Sequence, residues 1–229
     1  MYMKRLIIIM LIIISSCKPD TRKITQLQIN VPKDLASIGI LLDSIYIEDQ
    51  KYREELNIIS EKYGWESDEM KKQWEKIRKT DLGNLTIVEQ ILKKHGWLSS
   101  KEIGQKANST LFLVIQHSNQ KTQEKYLPMM RQAVKDGKAN SSSLALLEDR
   151  IALGKGELQI YGSQIGKDQE TGKMYVLPLI DPKNVNERRA KVGLSPIEDY
   201  ISYWKLEWNV EEYMKKLPKW KEKLKSNKR

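Results

Sequence analysis

The chain has 229 residues, 40 of them Lys or Arg and 30 Asp or Glu, so its formal net charge is +10 at pH 7. Charged residues make up 31% and the mean hydropathy is −0.58, which excludes a membrane protein with several spanning helices. One Cys excludes a disulfide framework and a Cys-rich zinc site, and two His exclude a three-His metal centre. We therefore expect one folded domain, without a metal or a cofactor.

The first 17 residues resemble the leader of a bacterial lipoprotein. Lys4 and Arg5 precede the apolar run 6–14, which as a helix spans roughly 14 Å and is too short to cross a bilayer. The sequence Ile-Ser-Ser then precedes Cys17, as in a lipobox, which implies cleavage before Cys17 and its modification with fatty acids such as palmitate. The alternative is an ordinary cleaved signal peptide with an accidental nearby Cys.

The leader predicts where the protein resides and which partners it meets. Residues 1–16 form the signal peptide and residues 17–30 the lipidated Cys with a tether, so we expect an extracytoplasmic domain in the bacterial cell envelope, anchored to the membrane by its lipid. That location argues against nucleic acid as the partner of the positive charge. Residues 31–217 form the domain, and the basic residues 218–229 are interpreted as a solvated tail rather than a surface-binding patch.

The apolar spacing predicts a mainly helical domain. Helical periodicity covers residues 34–63, 67–94, 100–118, 120–136 and 141–153, and Ser99 with Glu102 predicts a capping box at the third of these segments. Residues 157–161 then alternate between polar and apolar, as in a half-buried strand, with residues 174–177 as the partner strand. Asp181-Pro182 predicts the start of a helix that ends at Gly193. The last predicted helix starts at Ser195 and carries Trp204 and Trp208 on one face. The fold class is mainly α (α+β), with one small hairpin or sheet near residues 157–178.

Glu148-Asp149-Arg150 places three charges inside an apolar helical run. Adjacent helical residues are about 100° apart, so these three cannot all face water unless the helix is exposed there. An unpaired buried charge is costly, so at least one of them should form an ion pair or line a cleft. An internal ion pair and a functional site remain equally open.

Further polar side chains occur where apolar ones are expected. His117, with Gln116 before it, follows an apolar stripe and is either a hydrogen-bonded core histidine or a catalytic base. In the predicted strand, Gln159 and Tyr161 share one face, and Gln164 lies just beyond it, so these side chains either bind a polar ligand or cover a helix.

Several segments together resemble a bacterial family of predicted lipoproteins catalogued as domain of unknown function 6624. The resemblance covers roughly residues 35–205 and rests on Asp49-Gln50 with Arg53, Asp81 with Asn84, Gly96-Trp97, Gln116-His117, Leu147 to Arg150, Gln159 to Gln164, Pro178 with Asp181, Arg188-Arg189, Gly193-Leu194 and Tyr200. It implies recurrent family positions at His117, Asp149, Arg150, Gln159, Tyr161 and Gln164, but no established activity. The chain departs from the expected pattern at Leu98, in place of Pro, and at Asn119, in place of an acid near His117.

Two functions are compatible with these residues. The preferred one is a binding or structural module for a polar ligand or an envelope partner, with Gln116, Glu148, Arg150, Gln159, Tyr161, Gln164 and Arg189 as candidate ligand-binding residues. The alternative is a small envelope hydrolase or lyase, with His117 as the general base. In that scheme Asp149 or Glu148 orients His117, and Arg150 holds an anionic group.

Overall fold

The structure, a computed structural model, describes residues 31–168 and 172–226, with side chains up to residue 224. Over these residues the chain is mainly α-helical with one small antiparallel sheet, which confirms the predicted fold class. The helices are α1 (Leu35–Glu54), α2 (Leu56–Tyr63), α3 (Asp68–His95), α4 (Ser100–Ile103), α5 (Gln105–His117), α6 (Gln120–Lys135), α7 (Ser141–Gly154), α8 (Val185–Lys191), α9 (Ile197–Ser202) and α10 (Val210–Ser226). A 3₁₀ turn at Pro182–Asn184 precedes α8, and the strands are β1 (Ile165–Lys167) and β2 (Met174–Val176).

Polar caps fix where the first long helices begin. Asp34 accepts a hydrogen bond from the backbone N–H of Ser37 at 2.8 Å, and Ser67 accepts one from Met70 at 3.1 Å. The predicted capping box of Ser99 and Glu102 is present at the start of α4. These bonds satisfy backbone donors that a helix start leaves without an intrahelical partner.

The predicted helix over 100–118 is divided at Gly104, which separates α4 from α5. Gly104 has a φ of +90°, which glycine adopts without a steric penalty. Helix α1 lies close to this break, since a Cβ at Gly39 would stand 2.6 Å from the carbonyl oxygen of Ile103. The bend thus brings α4 against α1, and α5 packs along α1 and α3.

The small sheet lies later in the chain than the predicted first strand. Residues 157–161 form no strand, and Gln159 makes only an isolated parallel bridge with Leu179. Instead β1 pairs with β2, with Ile165 opposite Val176. The expectation for 157–161 is wrong because the N–H groups of Ile160 and Tyr161 donate to the carboxylate of Asp149 and not to a neighbouring strand.

The C-terminal region also differs from the prediction. The helix predicted from Ser195 ends at Ser202, and the chain turns at Lys205, whose φ is +55°. Trp204 and Trp208 therefore both lie outside that helix. The basic segment expected as a tail is helical as far as Ser226, as part of α10.

In the part of the chain that the structure describes, buried apolar side chains form two clusters. The larger joins α1, α3, α5, α6 and α7, with Ile38, Leu42, Ile91, Leu111, Ile115 and Leu147 among its most buried members. The smaller joins the hairpin to α8, α9 and α10 through Val176, Leu179, Val185, Ile197, Ile201, Tyr213 and Leu217. None of the described helices is both long and apolar enough to span a membrane. The predicted signal peptide, lipidated Cys17 and tether lie outside the described residues.

Candidate functional site around His117

Three helices bring four charged or titratable side chains together at the C-terminal end of α5. Nδ1 of His117 lies 2.9 Å from Oδ1 of Asp49 on α1. Arg53, one turn after Asp49, donates from Nη2 to both carboxylate oxygens of Asp81 on α3, at 2.8 Å each. Arg53 also donates from Nη1 to the backbone carbonyl of Asp49 at 2.7 Å. The result is a continuous network that joins α1, α3 and α5.

Asp49 is the buried centre of this network, with only 1% of its surface exposed. Burial by itself raises the pKa of Asp49, because it disfavours the charged carboxylate. The hydrogen bond and charge of His117, followed by Arg53 and Gln50, outweigh burial, so the pKa lies below its usual value. Gln50 donates to Oδ2 of Asp49 at 2.7 Å. Asp49 is therefore an anion at neutral pH, hydrogen-bonded through both oxygens.

Asp81 has the opposite shift. Burial raises the pKa of its carboxyl, and the neighbouring charge of Asp49 adds to this effect. Arg53 opposes both through its hydrogen bonds and its positive charge. Arg53 and Asp81 are both largely shielded, with 18% and 17% of their side chains exposed, so each needs the other as a counter-charge.

The same residues form a group that could be considered for a metal ion. Asp49, Asp81 and His117 each offer one ligand atom, and these atoms lie within 4.8 Å of one another. A metal ion would have to compete with existing interactions, because Arg53 donates to both oxygens of Asp81 and Nδ1 of His117 lies against Asp49. The donor set fits a guanidinium and an imidazole better than a metal ion.

His117 faces outward through its other ring nitrogen. The side chain is 16% exposed, and Nδ1 is committed to Asp49. Nε2 has no hydrogen-bond partner among the residues that the structure describes. A neutral imidazole whose Nδ1–H donates to a carboxylate presents Nε2 as an acceptor, which is the form that binds a donor group or accepts a proton.

Arg150 on α7 lies beside this network. Its Nη1 is 3.5 Å from the backbone carbonyl oxygen of Gln116, the residue before His117. Burial lowers the pKa of Arg150, Tyr200 raises it, and the positive charge of Arg53 lowers it further. The guanidinium of Arg150 is thus close enough to Arg53 for the two charges to repel each other.

The predicted partner of His117 is corrected by this geometry. The carboxylate that bonds the imidazole is Asp49, and neither Asp149 nor Glu148 orients it. Asp149 is completely buried and accepts from the backbone N–H groups of Ile160 (2.6 Å), Tyr161 (3.0 and 3.2 Å) and Ser163 (2.9 Å). Burial raises its pKa, although these three N–H groups act in the opposite direction. Glu148 instead pairs with Arg131 at 2.8 Å.

The polar residues of the predicted strand hold the backbone together. Gln159 is fully buried, donates to the carbonyls of Gln164 and Leu177, and accepts from the N–H of Gln164. The side chain of Gln164 donates to Oγ of Ser163 at 3.0 Å. Arg189, 1% exposed, donates to the carbonyls of Ser195 and Tyr161. These bonds give Gln159, Gln164 and Arg189 structural roles in the segment that follows α7.

Two other predicted ligand-binding residues, Tyr161 and Gln116, lie at different places. Burial raises the pKa of the Tyr161 hydroxyl, and the charge of Glu148 adds to the shift, which places this ring beside Glu148. Gln116 is buried, and its Oε1 has no hydrogen-bond partner among the described residues. Of the sequence candidates, the structure therefore brings Gln116, His117 and Arg150 together.

Sequence reasoning gave no role to Asp49, Arg53 or Asp81, although they contributed to the family resemblance. A signal for Asp49 was present. The buried stripe of α1 runs through Ile38, Leu42, Ile45 and Asp49 at steps of four, three and four residues. An acid at the next core position of an apolar stripe needs a buried partner, and His117 is that partner.

The described residues also enclose a cavity at a different place. It has a volume of about 620 Å³ and lies between the hairpin and α10. Its wall includes the rings of Tyr175, Trp208, Tyr213 and Trp220, which pack on one another with centroids 4.6 to 5.2 Å apart. None of the candidate site residues lines this cavity.

Comparison with known proteins identifies the family. The model of a family of unknown function (DUF6624) matches residues 41–211. The chain belongs to this family. The matched range contains Asp49, Asp81, His117 and Arg150, so the whole site lies within the family domain. No curated protein and no solved structure matches the chain.

Proposed function

We propose that this DUF6624 member is a lipid-anchored protein of the bacterial cell envelope that binds a small polar ligand at His117. The observation that carries the proposal is the imidazole itself. Asp49 fixes His117 through Nδ1 at 2.9 Å, and Nε2 is left without a partner among the described residues. Nδ1 is therefore held in place by the protein, and Nε2 of this partly exposed side chain is available to a ligand.

The membrane anchor is supported by the leader. The basic pair Lys4-Arg5, the apolar run 6–14 and the small residues before Cys17 have the order that lipoprotein processing requires. Cys17 is the only Cys of the chain, which suits an oxidising compartment. The domain then begins near Val31, a short tether away from the bilayer.

The binding proposal is tested by thermal shift of the purified protein against small probes of the envelope. These are amino sugars, free amino acids, inorganic phosphate and dicarboxylates. We compare the wild type with His117→Gln, and with His95→Gln as the matched control, because His95 is the other His of the chain. We expect at least one probe to raise the Tm of the wild type and of His95→Gln but not of His117→Gln. Equal shifts in all three proteins, or no shift with any probe class, would contradict the proposal.

A second candidate is an acid–base enzyme, a hydrolase or lyase. It is favoured by the contact of a buried carboxylate with Nδ1 of His117, since this contact stabilises the imidazolium that forms when Nε2 takes a proton. Asp49, rather than Asp149, is then the positioning residue. If a bound compound is converted, His117→Ala should abolish turnover and Asp49→Asn should lower kcat while binding persists. Recovery of every bound compound unchanged, from wild type and variants alike, would leave the binding function alone.

A further inference from the structure

Arg150 is a cation without an ion-pair partner among the described residues. Its side chain is half-buried, and its Nε is buried with no hydrogen-bond partner among the described residues. Among the described residues, its side chain donates one hydrogen bond, from Nη1 to the Gln116 carbonyl, which is 3.5 Å long and therefore weak. No carboxylate lies within ion-pair distance of Arg150 in the part of the chain that the structure describes.

The other arginines near the two cores are satisfied. Arg53 pairs with Asp81, Arg131 with Glu148 and Arg188 with Asp181, while Arg189 donates to two backbone carbonyls and lies 4.8 Å from the ring centroid of Tyr200. A protein that needs Arg150 only for stability is expected to give it a partner as well, because a half-buried unpaired guanidinium destabilises the fold. Arg150 instead has Nη donors that no carboxylate among the described residues engages.

The guanidinium of Arg150 lies next to the residue that precedes His117. Arg150 approaches the peptide of Gln116, which directly precedes His117 in α5. It also lies close enough to Arg53 for repulsion between the two charges. Arg53 pairs with Asp81 and Asp49, so Arg150 is the arginine at this place that has no ion-pair partner among the described residues.

We propose that Arg150 binds an oxyanion of the ligand, a carboxylate or a phosphate, next to Nε2 of His117. This inference rests on the proposed binding function and names its substrate class. A guanidinium matches either anion through two parallel N–H donors, so both share the chemistry of recognition. An anion supplies the missing counter-charge, while a donor group elsewhere on the same ligand meets Nε2 of His117.

A variant of Arg150 distinguishes anion binding from a purely structural role of this side chain. Arg150→Met removes an unpaired charge and keeps much of the side-chain volume. In anion-free buffer its Tm should equal or exceed that of the wild type. A structural arginine predicts the reverse, a clear loss of Tm in the variant.

The test is isothermal titration of the full chain with sodium phosphate, sulfate and acetate at constant ionic strength. The proteins are the wild type, Arg150→Met and Arg150→Lys, which keeps the charge but loses the fork. Arg131→Met is the control, because the Arg131 side chain is 53% exposed and pairs with Glu148. We expect the wild type to bind one anion per chain in a saturable manner. Tighter binding of phosphate indicates a phosphate group on the ligand, and tighter binding of acetate indicates a carboxylate. Arg150→Met should weaken anion binding at least tenfold, Arg150→Lys less, and Arg131→Met not at all.

Three results would overturn the inference: equal binding by Arg150→Met and wild type, no binding of any of the anions by the wild type, or a loss of Tm in Arg150→Met without anions. Failure here is distinguishable from failure of the proposed function. If an amino sugar, the probe without an oxyanion, raises the Tm in a way that depends on His117 and no anion binds, the oxyanion proposal is refuted and the ligand site at His117 is retained.

Discussion

Replacing Asp149 tests whether this residue is structural. Its carboxylate holds three backbone N–H groups, of Ile160, Tyr161 and Ser163, in a place with no access to solvent. Each buried donor left without a partner costs about 1–3 kcal/mol. Asp149→Ala leaves all three N–H groups without their acceptor, which lowers the free energy of unfolding by about 3–9 kcal/mol in total. Water that enters the space left by the side chain can bond some of these groups, so we expect a loss of about 3–5 kcal/mol.

Asp149→Asn should be milder. The amide oxygen can still accept from Ile160 and Tyr161, but the NH₂ group then faces the N–H of Ser163, so one contact becomes repulsive. We expect a loss of about 1–3 kcal/mol.

The assay is thermal and urea unfolding followed by circular dichroism. For a domain of this size, about 1 kcal/mol corresponds to about 2–4 °C in Tm, so Asp149→Ala should melt roughly 10 °C below the wild type. Glu148→Ala is the matched control, since it removes the adjacent carboxylate from a pair with the exposed Arg131 and should cost about 1 kcal/mol or less. An Asp149→Ala protein with wild-type Tm that no longer responds to ligand would refute the structural assignment and restore the catalytic one.

The remaining predictions concern three other parts of the chain. The pKa of Asp49 is lower in the folded state than in the unfolded state, where it is about 3.9. Ionised Asp49 therefore stabilises the fold fully at pH values above the unfolded-state pKa, and this stabilisation is lost as the pH falls through the folded-state pKa. The difference in unfolding free energy between wild type and Asp49→Asn, measured by urea titration, should therefore shrink below about pH 4; a difference that is constant with pH would contradict this pairing. Tyr213→Ala should lower the Tm by several degrees because Tyr213 is 5% exposed in the second core, whereas the exposed Lys215→Ala should not; equal Tm values would mean that α10 does not pack as described. Cys17→Ser should abolish incorporation of labelled palmitate and release the protein from the membrane fraction, and continued labelling would locate the lipid elsewhere.

The local elements of the fold follow closely from the sequence. Helical periodicity and end signals identify α3, α6 and α7 within a residue or two, because those signals are carried by neighbouring residues. Gly104 divides a predicted helix because one glycine with positive φ allows a bend that apolar periodicity alone does not reveal.

Contacts between residues far apart in the sequence could not be predicted from it. The candidates His117 and Arg150 do lie at the site, but the acid that holds His117 is 68 positions away on another helix. Asp149 sits next to Arg150 in sequence, yet the helical turn of about 100° per residue directs it to the following loop. The polar–apolar alternation over 157–161 is the same whether the backbone N–H groups bond a neighbouring strand or a side chain. In this protein the carboxylate of Asp149 takes the place of the partner strand, so the alternation predicts a strand that does not form.

The state of His117 tests the central claim most directly. The chain has two His, so ¹⁵N-histidine labelling gives a spectrum of two imidazoles, with His95 as an internal control. We predict that neutral His117 carries its proton on Nδ1, that Asp49→Asn changes this preference, and that sodium phosphate shifts the Nε2 resonance of His117 and leaves His95 unchanged. A proton on Nε2 of His117, or equal phosphate responses of the two imidazoles, would contradict the account.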